Sequence, residues 1–104
     1  MTDEPYEYQH IAHNYGARLA VEQYLEIGAD GWERRKVEVF ADGHLTFSDD
    51  VVYTGRTGLT HLKAEPIEVI NRKPGVRARA IDAAEFEQIW ELAQDEPFTI
   101  HLLG

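Results

Sequence analysis

Five histidines, one serine and no cysteine bound the chemistry open to this 104-residue chain. His10 and His13 are close enough to suggest a metal pair, but that spacing shares a face only on a helix. The residues around them read as strand or turn, which sends the two rings to opposite sides, and no spacing brings in His44, His61 or His101 as a third ligand. Ser48 lacks the flanking glycines of a nucleophile elbow. Thiolate catalysis, thiolate metal sites and disulfides are excluded outright. Asp49-Asp50 and the acids Glu22, Glu26 and Glu38 have the oxygen chemistry of a cation site, but they are read here as a solvated turn and a salt-bridged sheet face.

Two stretches have more specific potential. In Thr54-Gly55-Arg56-Thr57-Gly58-Leu59-Thr60-His61, two glycines free the backbone to present N–H groups, and Arg56, Thr57, Thr60 and His61 add donors suited to a phosphate or carboxylate. The lysine and flanking elements of a phosphate loop are missing. Arg35 lies in a strand pattern whose alternation places it on the apolar side, where an unpaired charge is costly. Glu33 or Glu87 could pair with it. The alternative is an arginine that lines a pocket at the sheet–helix seam and receives an anionic ligand. Trp90 reads as core or pocket wall. Trp32, at a hairpin tip, is a candidate anchor for a protein partner.

The elements that must position these residues are legible at the centre of the chain. Ala29-Asp30-Gly31 and Ala41-Asp42-Gly43 bracket a strand-forming run, so the region reads as a three-stranded antiparallel meander. Three-residue loops with glycine in the left-handed position predict Val21 opposite Val39, Gln23 opposite Val37 and Leu25 opposite Arg35. The second turn predicts Val39 opposite Leu45 and Val37 opposite Phe47. One face then collects Val21, Leu25, Ile27, Val37, Val39, Leu45 and Phe47. The other carries Glu22, Tyr24, Glu26, Arg34, Lys36 and Glu38, with Glu26 opposite Arg34. A register placing Lys36 beside Leu25 would move side chains to the opposite face, and the alternation argues against it.

Something must cover the apolar face, and the segment Ile81 to Ala93 fits. Asp82 is an N-cap with Glu85 three residues on, Ile81 and Phe86 form a staple pattern, and Phe86, Ile89, Trp90 and Ala93 recur at helical spacing. The fold class expected is α+β, an antiparallel meander with a C-terminal amphipathic helix on one face. Elsewhere, Tyr6 to Ile11 reads as a strand, Asn14-Tyr15-Gly16 as a turn and Val51 to Tyr53 as a short apolar run. Pro66 opens a short helix through Asn71, Pro74-Gly75 ends it, and Phe98, Ile100 and Leu102 alternate as a final strand.

The length suits one domain over 1–104, with a core over about 18–93. No signal pattern opens the chain and no apolar run is long enough to span a membrane, so a cytoplasmic protein without membrane partners is expected. The formal net charge is −9, unevenly spread. Residues 1–33 hold seven acids and one base, 34–80 nine bases and six acids, and 81–104 six acids and no base. Nucleic-acid binding needs a clustered positive footprint and is not expected. The charge suits a protein partner with a basic surface.

The block Glu33-x-Arg35-Lys36-Val37-Glu38-Val39-Phe40-Ala41-Asp42-Gly43, then Thr57-Gly58-Leu59, then Ile81-x-x-x-Glu85-Phe86-Glu87-x-Ile89-Trp90, resembles a family of small bacterial proteins known only as a domain of unknown function. The resemblance covers roughly residues 18–93 and implies no activity, cofactor or catalytic residue. By size and charge the chain is similar to immunity proteins, which neutralise a toxin by binding it. The expectation is therefore a non-enzymatic protein-binding module, immunity- or inhibitor-like, with Trp32, Glu22 and Glu26 at the partner surface and no cofactor or metal. The alternative is a small anionic-ligand or enzyme domain whose site joins Arg35, Arg56, Thr57 and His61 at the sheet–helix seam and the 54–61 loop.

Overall fold

The computed structural model describes residues 6–14, 20–55, 57–60, 62–95 and 100–102, the last three by backbone alone. Among them, seven strands form one antiparallel sheet: β1 (Glu7–His13), β2 (Glu22–Ile27), β3 (Glu33–Val39), β4 (Leu45–Ser48), β5 (Val52–Thr54), β6 (Val76–Ile81) and β7 (Ile100–Leu102). The strand order is β6-β1-β2-β3-β4-β5-β7. Helix α1 (Ile67–Ile70) precedes β6 and helix α2 (Ala83–Gln94) follows it. The expected α+β meander with its C-terminal helix is present. The edge strand β6 had no counterpart in the sequence reading, and Phe98, Tyr15 and Gly16 lie outside the described residues.

Both Asp-Gly turns have the predicted form. Gly31 and Gly43 sit at φ 87° and 90°, where a side chain would be strained. The closing bonds run from Gly28 N to Trp32 O at 2.9 Å and from Phe40 N to His44 O at 3.0 Å. Beyond the second turn the register holds, with Val39 opposite Leu45 and Val37 opposite Phe47. Beyond the first it does not. Ile27 faces Glu33, but Glu26 faces Arg35, so Arg34 is an extra residue in β3. This bulge shifts β2 by one residue and places Leu25 opposite Lys36, the pairing that the alternation argued against. Arg34 is held out of the ladder by the turn itself, since its Nη2 donates to Asp30 at 2.5 Å.

The shift corrects the expected division of faces. Tyr24, Val37 and Phe47 share one row on the side facing α2, and Glu22, Val39 and Leu45 another. Leu25 and Ile27 point the opposite way. The sheet therefore has an apolar region on each side, and each is covered. On one side Val37, Leu45 and Phe47 pack with Phe86, Trp90 and Ala93 of α2. On the other, buried Leu25 shares a cavity wall with Ile70 of α1 and with Leu62 and Ala64 of the loop preceding it.

The caps follow their sequence signals. Asp82 accepts the Glu85 N–H at 2.8 Å and opens α2. Glu85 does not complete a reciprocal box; its carboxylate turns to Arg79 instead. Asp82→Ala is expected to cost about 1 kcal/mol, read as a lower urea midpoint at unchanged slope. Pro66 caps α1, and Asn71 at its end bonds both backbone groups of Ala78, at 3.0 Å and 2.6 Å, closing part of the exposed edge of β6.

Candidate functional site

Arg35 is the centre of the charged cluster that the bulge creates. On the α2 side of the sheet it joins the row Ile81–Tyr8–Glu26–Arg35. Its Nε and Nη2 each donate to Glu26 at 2.7 Å, a bidentate pair, and Nη1 reaches Glu87 of α2 at 3.1 Å. The guanidinium lies 4.9 Å from the ring centres of both Phe86 and Trp90. Bonding to Glu26, then to Glu87, holds Arg35 charged still more firmly than usual. The Arg35 bond in turn holds Glu87 below the ordinary carboxylate range. Burial, then the Glu26 charge, raises Tyr8 above the usual phenol value. All three guanidinium nitrogens donate to the protein's own carboxylates, and the rings of Phe86 and Trp90 pack against the guanidinium. The geometry is that of an ion pair clamping helix to sheet, with Glu87 as one of the partners foreseen. Glu33 is not, because the bulge turns it to the opposite face.

Thr57 is on that opposite face. Its hydroxyl bonds Thr46 and donates to Glu38 at 2.7 Å, both on strands whose α2 side is formed by Val37, Val39, Leu45 and Phe47. Arg35 and Thr57 are thus separated by the sheet itself and do not form one seam site. Arg56 and His61 lie outside the described residues. The other described residues of the loop, 58–60 and 62–64, form a cover tied down by hydrogen bonds. Glu33 and Lys36 would point apart in a regular strand, but the bulge brings them to one face, where they pair at 3.0 Å. Lys36 donates to Gly58 O at 3.0 Å, Glu33 accepts from Thr60 N at 2.9 Å, and Ala64 N donates to Gly31 O at 2.8 Å.

The remaining sequence candidates are scattered. His10 and His13 fall in β1 on opposite faces, as their spacing implied. His10 bonds Glu22 at 2.6 Å and accepts from Arg79 at 3.2 Å. His44 stacks on Phe40 beside the second turn. Ser48 is buried and donates to Asp49 O at 3.1 Å. No group of metal-ligating side chains occurs among the described residues. Of the three partner candidates, Trp32 is 37% exposed at its hairpin tip, and Glu22 is partly open beside His10. Glu26 is 5% exposed beneath Arg35, so it is not part of an outer surface.

Two features escaped the residue-by-residue reading. The first is a cavity of about 330 Å³ between the sheet and the 60–65 loop with α1, walled by Gln9, Ile11, Leu25, Ile70 and Val76. Gln9 is 1% exposed, and its cross-strand neighbours are Leu25 and Ala80. A glutamine in such an apolar row was the available signal. Its amide nitrogen donates to Glu65 O at 3.1 Å, while its Oε1 is buried with no hydrogen-bond partner.

The second is the outer side of α2. Ala84, Gln88, Glu91, Leu92 and Asp95 are exposed at helical spacing, with Leu92 58% open. Glu85 and Glu87 take arginines from the sheet, Arg79 and Arg35. Glu91 and Asp95 form no ion pair among the described residues.

A family model described as "Domain of unknown function (DUF6881)" matches residues 6–95, and the protein belongs to that family. The match reaches further toward the N-terminus than the motif resemblance, taking in the whole of β1. No curated protein and no solved structure matches the chain. No helix among the described residues is long and apolar enough to cross a membrane.

Proposed function

We propose that this member of the family is a non-enzymatic binding domain, immunity- or inhibitor-like, that receives a protein partner with a basic surface on the outer side of α2. The observation carrying this reading is the charge arrangement of that helix. The chain has no lysine or arginine from residue 81 onward. Sheet arginines neutralise the acids on the flank of the helix, and Glu91 and Asp95, four residues apart on one face beside exposed Leu92, form no ion pair among the described residues. An apolar anchor beside a pair of acids suits an interface in which charge steers encounter and the anchor slows release. The −9 net charge favours the same class of partner at longer range.

The tagged protein should capture a basic protein from its host's lysate in a salt-sensitive manner. The purified pair should then lose on the order of tenfold or more in affinity on Glu91→Lys with Asp95→Lys, and comparably on Leu92→Ala. Unchanged affinity in these variants, with circular dichroism showing an intact fold, would overturn the reading. Trp32→Ala serves as the comparison at the hairpin tip.

A further inference from the structure

We infer that His10 is a proton-operated joint in the sheet: neutral, it ties β6 to β2 through Arg79 and Glu22, and protonated, it releases Arg79. The joint uses none of Glu91, Leu92 and Asp95, so it stands or falls independently of the partner surface proposed above.

The inference begins with two hydrogen bonds of opposite sense on one ring. His10 stands between Arg79 and Tyr24 in the ladder, with its side chain 13% exposed. Arg79 Nε can only donate, so His10 Nδ1, at 3.2 Å, is the bare, accepting nitrogen. The proton of the neutral ring is then on Nε2, which donates to Glu22 at 2.6 Å. Neutral imidazole satisfies both neighbours in this one tautomer. Imidazolium cannot, because both of its nitrogens carry hydrogen. Its bond to Glu22 gains charge and strengthens, but at Nδ1 an N–H meets an N–H and one cation meets another. Arg79 keeps a second hold. Its Nη1 and Nη2 donate to Glu85 in the first turn of α2, at 3.4 Å and 2.6 Å, and half of its side chain is open to water. Protonation therefore cuts the chain from Glu22 through His10 and Arg79 to Glu85 at its middle bond and leaves both ends in place.

The other groups around the ring keep their charge while a histidine titrates. Tyr24 stacks on His10 with 4.5 Å between ring centres, and burial, then the Glu22 charge, holds its phenol above the usual range, so it stays neutral. Bonding to Glu85 holds Arg79 charged more firmly than usual. Arg77, in the next row of β6 beside Ala12, is a fixed cation. Glu22 and Glu85 are carboxylates already engaged with His10 and Arg79. Histidine is the side-chain type in this group that changes charge between about pH 5 and 8.

Ring and guanidinium nitrogens report the switch directly. Isotope-labelled protein is followed by NMR from about pH 8 to about pH 5. At the upper end the His10 ring is expected to carry its proton on Nε2 alone. Arg79 Nε–H should there exchange with water about tenfold more slowly than in an unstructured arginine peptide at the same pH. That protection should vanish over the interval in which His10 takes up its second proton. His10→Gln, which does not titrate, should show no such step, and Glu85→Gln should retain it. A proton on Nδ1 at the upper end, an Arg79 signal that does not follow His10, or a step that persists in His10→Gln would overturn the inference. If His10→Gln does not fold, the coincidence of the two titrations in the unaltered protein decides alone.

Discussion

Arg35→Ala is expected to destabilise the protein by about 3–5 kcal/mol, the range for removing one partner of a buried ion pair. The loss falls on Glu26, which is 5% exposed and would be left without a cation. Removing Glu87 should cost far less, under about 1 kcal/mol, because that carboxylate is nearly half exposed and water replaces much of the bond. One further result would separate the clamp from a ligand-binding arginine. Replacing the pair together, Arg35→Met with Glu26→Leu, should restore most of the stability, since neither charge is then stranded.

The unaltered protein has its own pH dependence from the same cluster. Glu87 is held below its ordinary value, so its contribution is present above the usual carboxylate range and is lost as pH falls through the folded-state value. Tyr8 is held above its ordinary value of 10, so the folded state loses stability as pH rises beyond that point. Chemical denaturation across pH would show both flanks. If Arg35→Ala is as stable as the parent, the clamp is not what holds α2 to the sheet.

Phe86→Ala should be comparably severe, at about 3–5 kcal/mol. Phe86 is fully buried, with ring centres of Tyr8 at 5.5 Å and Trp90 at 6.1 Å and the Arg35 guanidinium above it. Truncation leaves a cavity where helix, sheet and ion pair meet, and it removes the surface over which the guanidinium lies. Against a total stability of roughly 5–15 kcal/mol for a domain of this kind, that is a large fraction. Urea unfolding followed by tryptophan fluorescence and by far-ultraviolet circular dichroism gives the number. A loss below about 1 kcal/mol would mean that α2 is held mainly by other contacts, Trp90 on Phe47 foremost. Because Phe86 and Arg35 touch, the double variant should lose less than the sum of the two singles.

Local chemistry made several parts of this molecule legible before any tertiary contact was known. Gly31 and Gly43 alone can take the left-handed conformation that both hairpin loops require, so the turns followed from residue type. Asp82, the staple residues and the 3.6-residue apolar repeat specified α2 in the same way, because capping and periodicity act within a few residues. The Arg35–Glu87 bond was also within reach, since an arginine on an apolar face demands an acid.

The bulge at Arg34 was not legible. Its cause is a balance between a turn contact to Asp30 and ion pairs that form only when β3 meets β2, α2 and the 57–64 loop together. That single residue decided which face Leu25, Ile27 and Glu26 occupy, placed Glu33 beside Lys36, and set Arg35 and Thr57 on opposite sides of the sheet. The Gln9 cavity has the same origin. It exists only because α1 and the loop before it roof a second apolar face, and no periodicity in one segment reports what a distant segment covers. Period-2 alternation states that a strand has two faces. Which face is buried, and whether both are, is a property of the assembled sheet and its cover.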